Sequence, residues 1–113
     1  MIPRFQKSYE TAVYAVNATI LASESNDLWH WFALPGHHAY SDHASGFCIF
    51  NNVAIAAQRL VNQGKKVVIF DFDGHLEDGT SHIFYESDQV MYWSIHQHPA
   101  FPGHGNENGN WRR

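Results

Sequence analysis

The segment Asp71-Phe72-Asp73-Gly74-His75 brings two carboxylates and an imidazole together in one short stretch. In an extended chain alternate side chains share a face. Asp71 and Asp73 would then point one way and Phe72 the other, with His75 in phase if the extension continues. Carboxylate plus imidazole is a donor set that suits Zn²⁺ and related metals. The same pattern also fits two aspartates that cap local turns beside a surface histidine. A second chemical signal is Pro35-Gly36-His37-His38. Adjacent histidines can act as general base and general acid, each tuned by its own carboxylate, although a solvated loop pair carries the same residues. The third is Gly46-Phe47-Cys48, leading into Asn51-Asn52. A Phe beside Gly can line a channel or pack beneath a loop. Cys48 reads as a small buried hydrophobe rather than a nucleophile.

The elements that must position these groups follow from pattern. Ser8 is expected to cap a helix running to about Ser23, with Val13, Val16, Ile20 and Leu21 at helical spacing. The aromatic run Trp29 to Leu34 suits a strand stopped by Pro35-Gly36, and His37 to Phe50 reads as a long functional loop. Asn51 or Asn52 caps a second helix, Val53 to Asn62, with Ile55, Ala56, Leu60 and Val61 as its apolar members and Gly64 closing it. Lys66 to Phe72 holds the continuous run Val67-Val68-Ile69-Phe70, the mark of a parallel strand covered on both faces. A turn or short helix near Thr80 to Tyr85 precedes a third strand at about Gln89 to His96. This is the rhythm of an α/β protein with a mainly parallel sheet, in which ligands sit beyond the carboxyl ends of strands. Gly36–His38, Asp71–His75 and Ser94–Gln97 occupy those positions.

Composition narrows the function classes. The 113 residues suit one small domain, with no repeat or linker dividing 1–113, and the Gly- and Asn-rich residues 103–113 are expected to form a flexible tail. Seven basic against eleven acidic residues give a net charge of −4, which argues against nucleic acid as a partner. The single cysteine excludes an internal disulfide and a Cys-rich zinc framework. The stretch Ala12 to Ala22 is too short to span a bilayer, and the N-terminus has no apolar core of a signal peptide. A reduced, cytoplasmic location without membrane association is the expectation.

Taken in order, P-G-H-H, G-F-C-x-F-N-N-V-A-I-A-A, V-V-I-F-D-F-D-x-H-x-x-D-G-T and S-I-H-Q closely resemble the zinc-dependent histone deacetylase superfamily. That superfamily includes acetylpolyamine amidohydrolases and acetoin-utilisation proteins, and the likeness runs from about Tyr9 to Gly105. It implies a partial arginase/deacetylase-like three-layer sandwich and hydrolysis of an acetyl-lysine or acetylpolyamine amide. By the same resemblance Asp73 and His75 match two zinc ligands, and His37 and His38 the histidines beside the metal-bound water. Asp71 and Asp78 match their carboxylate partners, Gly46 and Phe47 the walls of the acyl channel. Asp71, Asp73, His75 and Ser94 match positions around a potassium site.

The sequence also departs from the family pattern. Ala33 and Leu34 replace the usual Arg-Pro, Leu76 a second histidine, Glu77 a glycine in a turn expected to need positive φ, and His104 a small polar residue. The family's third zinc ligand, an Asp, and its oxyanion-binding Tyr fall downstream of S-I-H and have no counterpart among the 113 residues. The reading is therefore a deacetylase-like amidohydrolase segment, incomplete and weak or inactive as a lone chain, and a homo-oligomer. The alternative is a non-catalytic metal- or ligand-binding oligomeric module on the same scaffold. Of the other histidines, His96 reads as structural, His30 as facing away from the site, and His43, His82 and His98 as solvent-facing loop residues.

Overall fold

The computed structural model describes residues 4–25 and 36–103. The expected strand at Trp29 to Leu34, the departures at Ala33, Leu34 and His104, His30, and all of the expected tail except Gly103 lie outside them. In chain order the elements are α1 (Arg4–Ser23), α2 (Asn52–Asn62), β1 (Val67–Asp71), α3 (Asp78–Phe84) and β2 (Val90–Ser94).

Helix α1 begins before Ser8, so Ser8 is an interior residue and not a cap. Arg4, Gln6 and Lys7 are good helix formers, and Gln6 bonds Glu10 one turn on (3.3 Å), which extends the helix backward. α1 packs on α2, fastened at its end by the Glu24–Arg59 ion pair and by Gln63 Nε2 donating to Glu24 (3.3 Å). Asn51 is the α2 N-cap, its side-chain oxygen accepting from Ala54 N at 3.0 Å. Gly64, at φ +80°, supplies the left-handed residue just beyond the other end. The buried stripe of α2 is Ala54, Ala56 and Ala57, whereas Ile55 turns outward.

Strands β1 and β2 pair in parallel, with Val67 opposite Val90 and Asp71 opposite Ser94, and α3 forms the crossover. Ile69, Val90 and Tyr92 face α2 and α3 and form the core with Ala54, Ala57 and Phe84. The expectation of cover on both faces is not met among the described residues. Val68, Phe70, Met91 and Trp93 on the opposite face are all exposed, because both packed helices lie on one side of the sheet. No described helix is long and apolar enough to cross a membrane.

Candidate functional site

The site gathers where β1 ends, beside the N-terminus of α3. The segment carrying the two histidines is held by a polar network. Thr80 N donates to the His37 carbonyl (3.1 Å), Asn51 Nδ2 donates to the Ala39 carbonyl (3.0 Å) and to Thr80 Oγ1 (2.9 Å), and Thr80 is fully buried. Gly79 lets α3 approach this backbone, since a Cβ there would lie 2.2 Å from the Ala39 carbonyl oxygen. Gly46, at φ +53°, does the same from the other side, where a Cβ would fall 2.5 Å from the His38 ring.

His38 is buried, and its Nδ1 meets Asp78 Oδ1 at 2.5 Å. The other Asp78 oxygen accepts from Tyr40 Oη at 3.1 Å. A carboxylate on Nδ1 selects the tautomer protonated there and leaves Nε2 free to take a proton. The His37 ring lies 4.0 Å from that of His38, and its Nδ1 is 3.6 Å from Glu77 Oε1. The Glu77 carboxylate raises the His37 pKa, so the imidazolium persists to higher pH.

Asp71 is buried, and its carboxylate accepts from Asp73 N (2.8 Å) and Tyr92 Oη (3.4 Å). Burial, reinforced by the nearby charge of Glu77, pushes its pKa up to about 6. Its neighbour in space is the His37–Glu77 pair. One ligand atom each from His37, Asp71 and Glu77 lies within 4.8 Å of the others.

Asp73 and His75 are half exposed and form a local unit, in which Asp73 Oδ1 accepts from His75 N (2.8 Å) and lies 3.3 Å from His75 Nδ1. The His75 N–H holds the Asp73 carboxyl below the usual range. Both aspartates thus make the Asx-type turns that the sequence also allowed. A catalytic zinc takes three protein ligands. Among the described residues no third His, Cys, Asp or Glu joins Asp73 and His75, so these two alone do not fit that ion. Ser94 Oγ bonds His96 Nδ1 (2.8 Å), and the Asp71 carbonyl accepts from Ile95 N (2.9 Å), which fixes the end of β2 beside the end of β1.

Phe47 is fully exposed at φ +64°, a conformation costly for a residue with a Cβ, and so does not pack beneath its loop. Cys48 is buried, as its type suggested. His43 is exposed and stacked on Tyr40, and His98 is exposed, whereas His82 sits on α3 rather than in a loop. Glu77 takes φ −72°, so the turn that replaces the family glycine needs no positive φ, and Leu76 packs against the core.

Sequence reasoning missed several contributors. Tyr40 is bonded to Asp78, Thr80 anchors the histidine segment, and the Phe101 ring stands edge-on to His38 at 5.1 Å and to His75 at 6.4 Å. Only Glu77 left a signal, as a charge in place of glycine. The others are common residue types whose role depends on contacts across the fold.

The described residues form a parallel α/β unit with a carboxylate-buttressed histidine pair beside the end of β1. The family model "Histone deacetylase domain" matches residues 1–111, and the chain belongs to that family. It is 44% identical over 108 residues to a probable deacetylase of Methanothermobacter thermautotrophicus, covering 88% of this chain and 32% of that protein. To acetylpolyamine amidohydrolase 2 of Pseudomonas aeruginosa it is 41% identical over 96 residues, covering 80% and 28%. The crystal structure of the HDA15 HD domain superposes with a TM-score of 0.78 at 35% identity, covering 87% of this chain and 30% of that one. The arginase/deacetylase fold expected from the motifs is therefore present. The chain spans about a third of the two curated relatives' length.

Proposed function

We propose that this chain carries the proton-handling half of a deacetylase-type amidohydrolase acting on acetylated amines, acetyl-lysine or acetylpolyamine. The observation that carries the reading is the buried His38–Asp78 pair at 2.5 Å. Hydrolysis of an acetyl amide adds water across the C–N bond, giving acetate and a free amine. His38 Nε2 takes the proton of the attacking water, and Asp78 stabilises the imidazolium that forms. His37, whose protonation Glu77 favours, supplies a proton to the departing amine. Gly46 and Phe47 line the approach of the acyl chain. Asp71 orders the β1 end through its bonds to Asp73 N and Tyr92, and supports His37 electrostatically.

Asp73 and His75 are the zinc-side residues of the family, and a zinc ion there would polarise the acetyl carbonyl. Two donors fall short of the set, so no step is assigned to that ion in the lone chain. A second copy of the chain completes the site, and the lone chain is weak. Potassium near Asp71, Asp73, His75 and Ser94 belongs to the same proposal, as does a cytoplasmic setting with neither nucleic acid nor membrane as partner. The test is acetate release from an acetyl-lysine peptide and an acetylated polyamine, with zinc added, by wild type and by His38→Ala. Slow release lost in the variant is expected. Equal rates for the two proteins contradict the reading.

A further inference from the structure

Glu77 stands where the family pattern has glycine, and the structure places its carboxylate beside His37 and Asp71 in a buried cluster. The residue is 9% exposed. Its Oε1 lies 3.6 Å from His37 Nδ1, while its Oε2 is buried with no hydrogen-bond partner. A buried oxygen left in that state is unfavourable, the more so when charged. Asp71, also buried, brings a second carboxylate to the same place. Two buried carboxylates against one imidazole leave an excess of negative charge in a place shielded from water.

From this geometry we infer that His37, Asp71 and Glu77 form a divalent transition-metal site, distinct from Asp73 and His75. The three ligand atoms lie within 4.8 Å of one another. Bonds of about 2.0–2.2 Å in tetrahedral geometry bring ligand atoms to about 3.4 Å apart, within reach of small side-chain rotations. One imidazole and two carboxylates suit Zn²⁺, Co²⁺ or Mn²⁺, with water completing the coordination. A bound cation satisfies the orphaned oxygen and takes the place of the His37 proton, so the metal-loaded form and the hydrolytic form exclude each other. The Asp73 N–H and Tyr92 hydroxyl bonded to Asp71 act as outer supports that orient that ligand. This inference stands whether or not the chain hydrolyses amides, because its readout is binding.

The experiment is Co²⁺ titration of the metal-free full chain, followed by visible absorption and calorimetry. The proteins are wild type, Glu77→Gln, His37→Gln and the double variant Asp73→Asn/His75→Ala, each checked for folding by circular dichroism. One Co²⁺ per chain is expected for wild type and for the Asp73/His75 variant. At least tenfold weaker binding is expected for Glu77→Gln and for His37→Gln, either of which suffices if the other fails to fold. No binding by wild type overturns the proposal. So does unchanged affinity in the folded Glu77 or His37 variants, or loss of binding in the folded Asp73/His75 variant.

Discussion

Replacing Gly79 by alanine separates local helix preference from the close packing that builds the site. In an exposed helix interior the exchange gains about 1 kcal/mol, because alanine is the better helix former. At position 79 the new Cβ would meet the Ala39 carbonyl oxygen at 2.2 Å, and the Ala39 and His38 carbonyl carbons at 2.7 Å. All three are backbone atoms and cannot rotate aside. Relieving the overlap requires α3 and the 37–39 segment to separate by about 1 Å. That motion stretches Thr80 N to His37 O, now 3.1 Å, past useful hydrogen-bond length. Overpacking costs about 1–3 kcal/mol and a weakened buried hydrogen bond about 1 kcal/mol; set against a helix gain of about 1 kcal/mol, the net loss is about 1–3 kcal/mol. For a domain of this size the melting temperature falls by roughly 5–15 °C. Urea unfolding followed by circular dichroism measures it. Gly64→Ala is the control, since nothing lies within 4 Å and only its φ of +80° opposes a side chain, at about 1 kcal/mol. A Gly79→Ala protein as stable as wild type, or more so, would refute the packing account.

Other consequences are equally direct. Asp71, raised from 3.8 to about 6, favours the folded state fully below pH 4, and this contribution is lost as pH rises through 6. The upward shift corresponds to about 3 kcal/mol, so urea midpoints in chelated buffer should fall between pH 4 and 7 for wild type and much less for Asp71→Asn. Parallel slopes would count against a buried, destabilised carboxylate. Phe47→Gly relieves the φ of +64° without removing packing, and should raise stability by about 1 kcal/mol while weakening substrate binding as a higher KM. A less stable variant would contradict the strain argument. Phe70, Met91 and Trp93 are exposed on one face, and if the proposed pairing of copies uses that face, Trp93→Glu lowers the sedimenting mass. An unchanged wild-type monomer would exclude that route.

The sequence was informative where a local rule has one physical outcome. Asn51 could be read as a cap because its side chain replaces the missing acceptor for Ala54 N, and Gly64 as a helix end because the chain needs a left-handed residue there. The strand bearing Val67 to Phe70 was recognisable from its β-branched run, and the motifs around His37, His38 and Asp71 to Asp78 disclosed the family. Other features depended on distant partners. The same apolar run cannot say whether one face of the sheet or both are covered, and Val68 and Phe70 are exposed here. The start of α1 was missed because Ser8 has the right residue type for a cap but lies inside a stretch that favours helix. Glu77 was visible as a departure, yet its closeness to His37 depends on how α3 docks beneath the 37–39 segment. Phe101 lies far along the chain from His38 and His75, and only the folded chain brings their rings together.

The central claim is that these residues by themselves build a histidine poised to accept a proton at Nε2. Long-range ¹H–¹⁵N correlation spectra of the ¹⁵N-histidine-labelled chain, with His38 assigned by comparison with His38→Gln, read that state directly. The account predicts a neutral His38 ring protonated at Nδ1 against Asp78 and bare at Nε2. A neutral ring carrying its proton on Nε2 would contradict it.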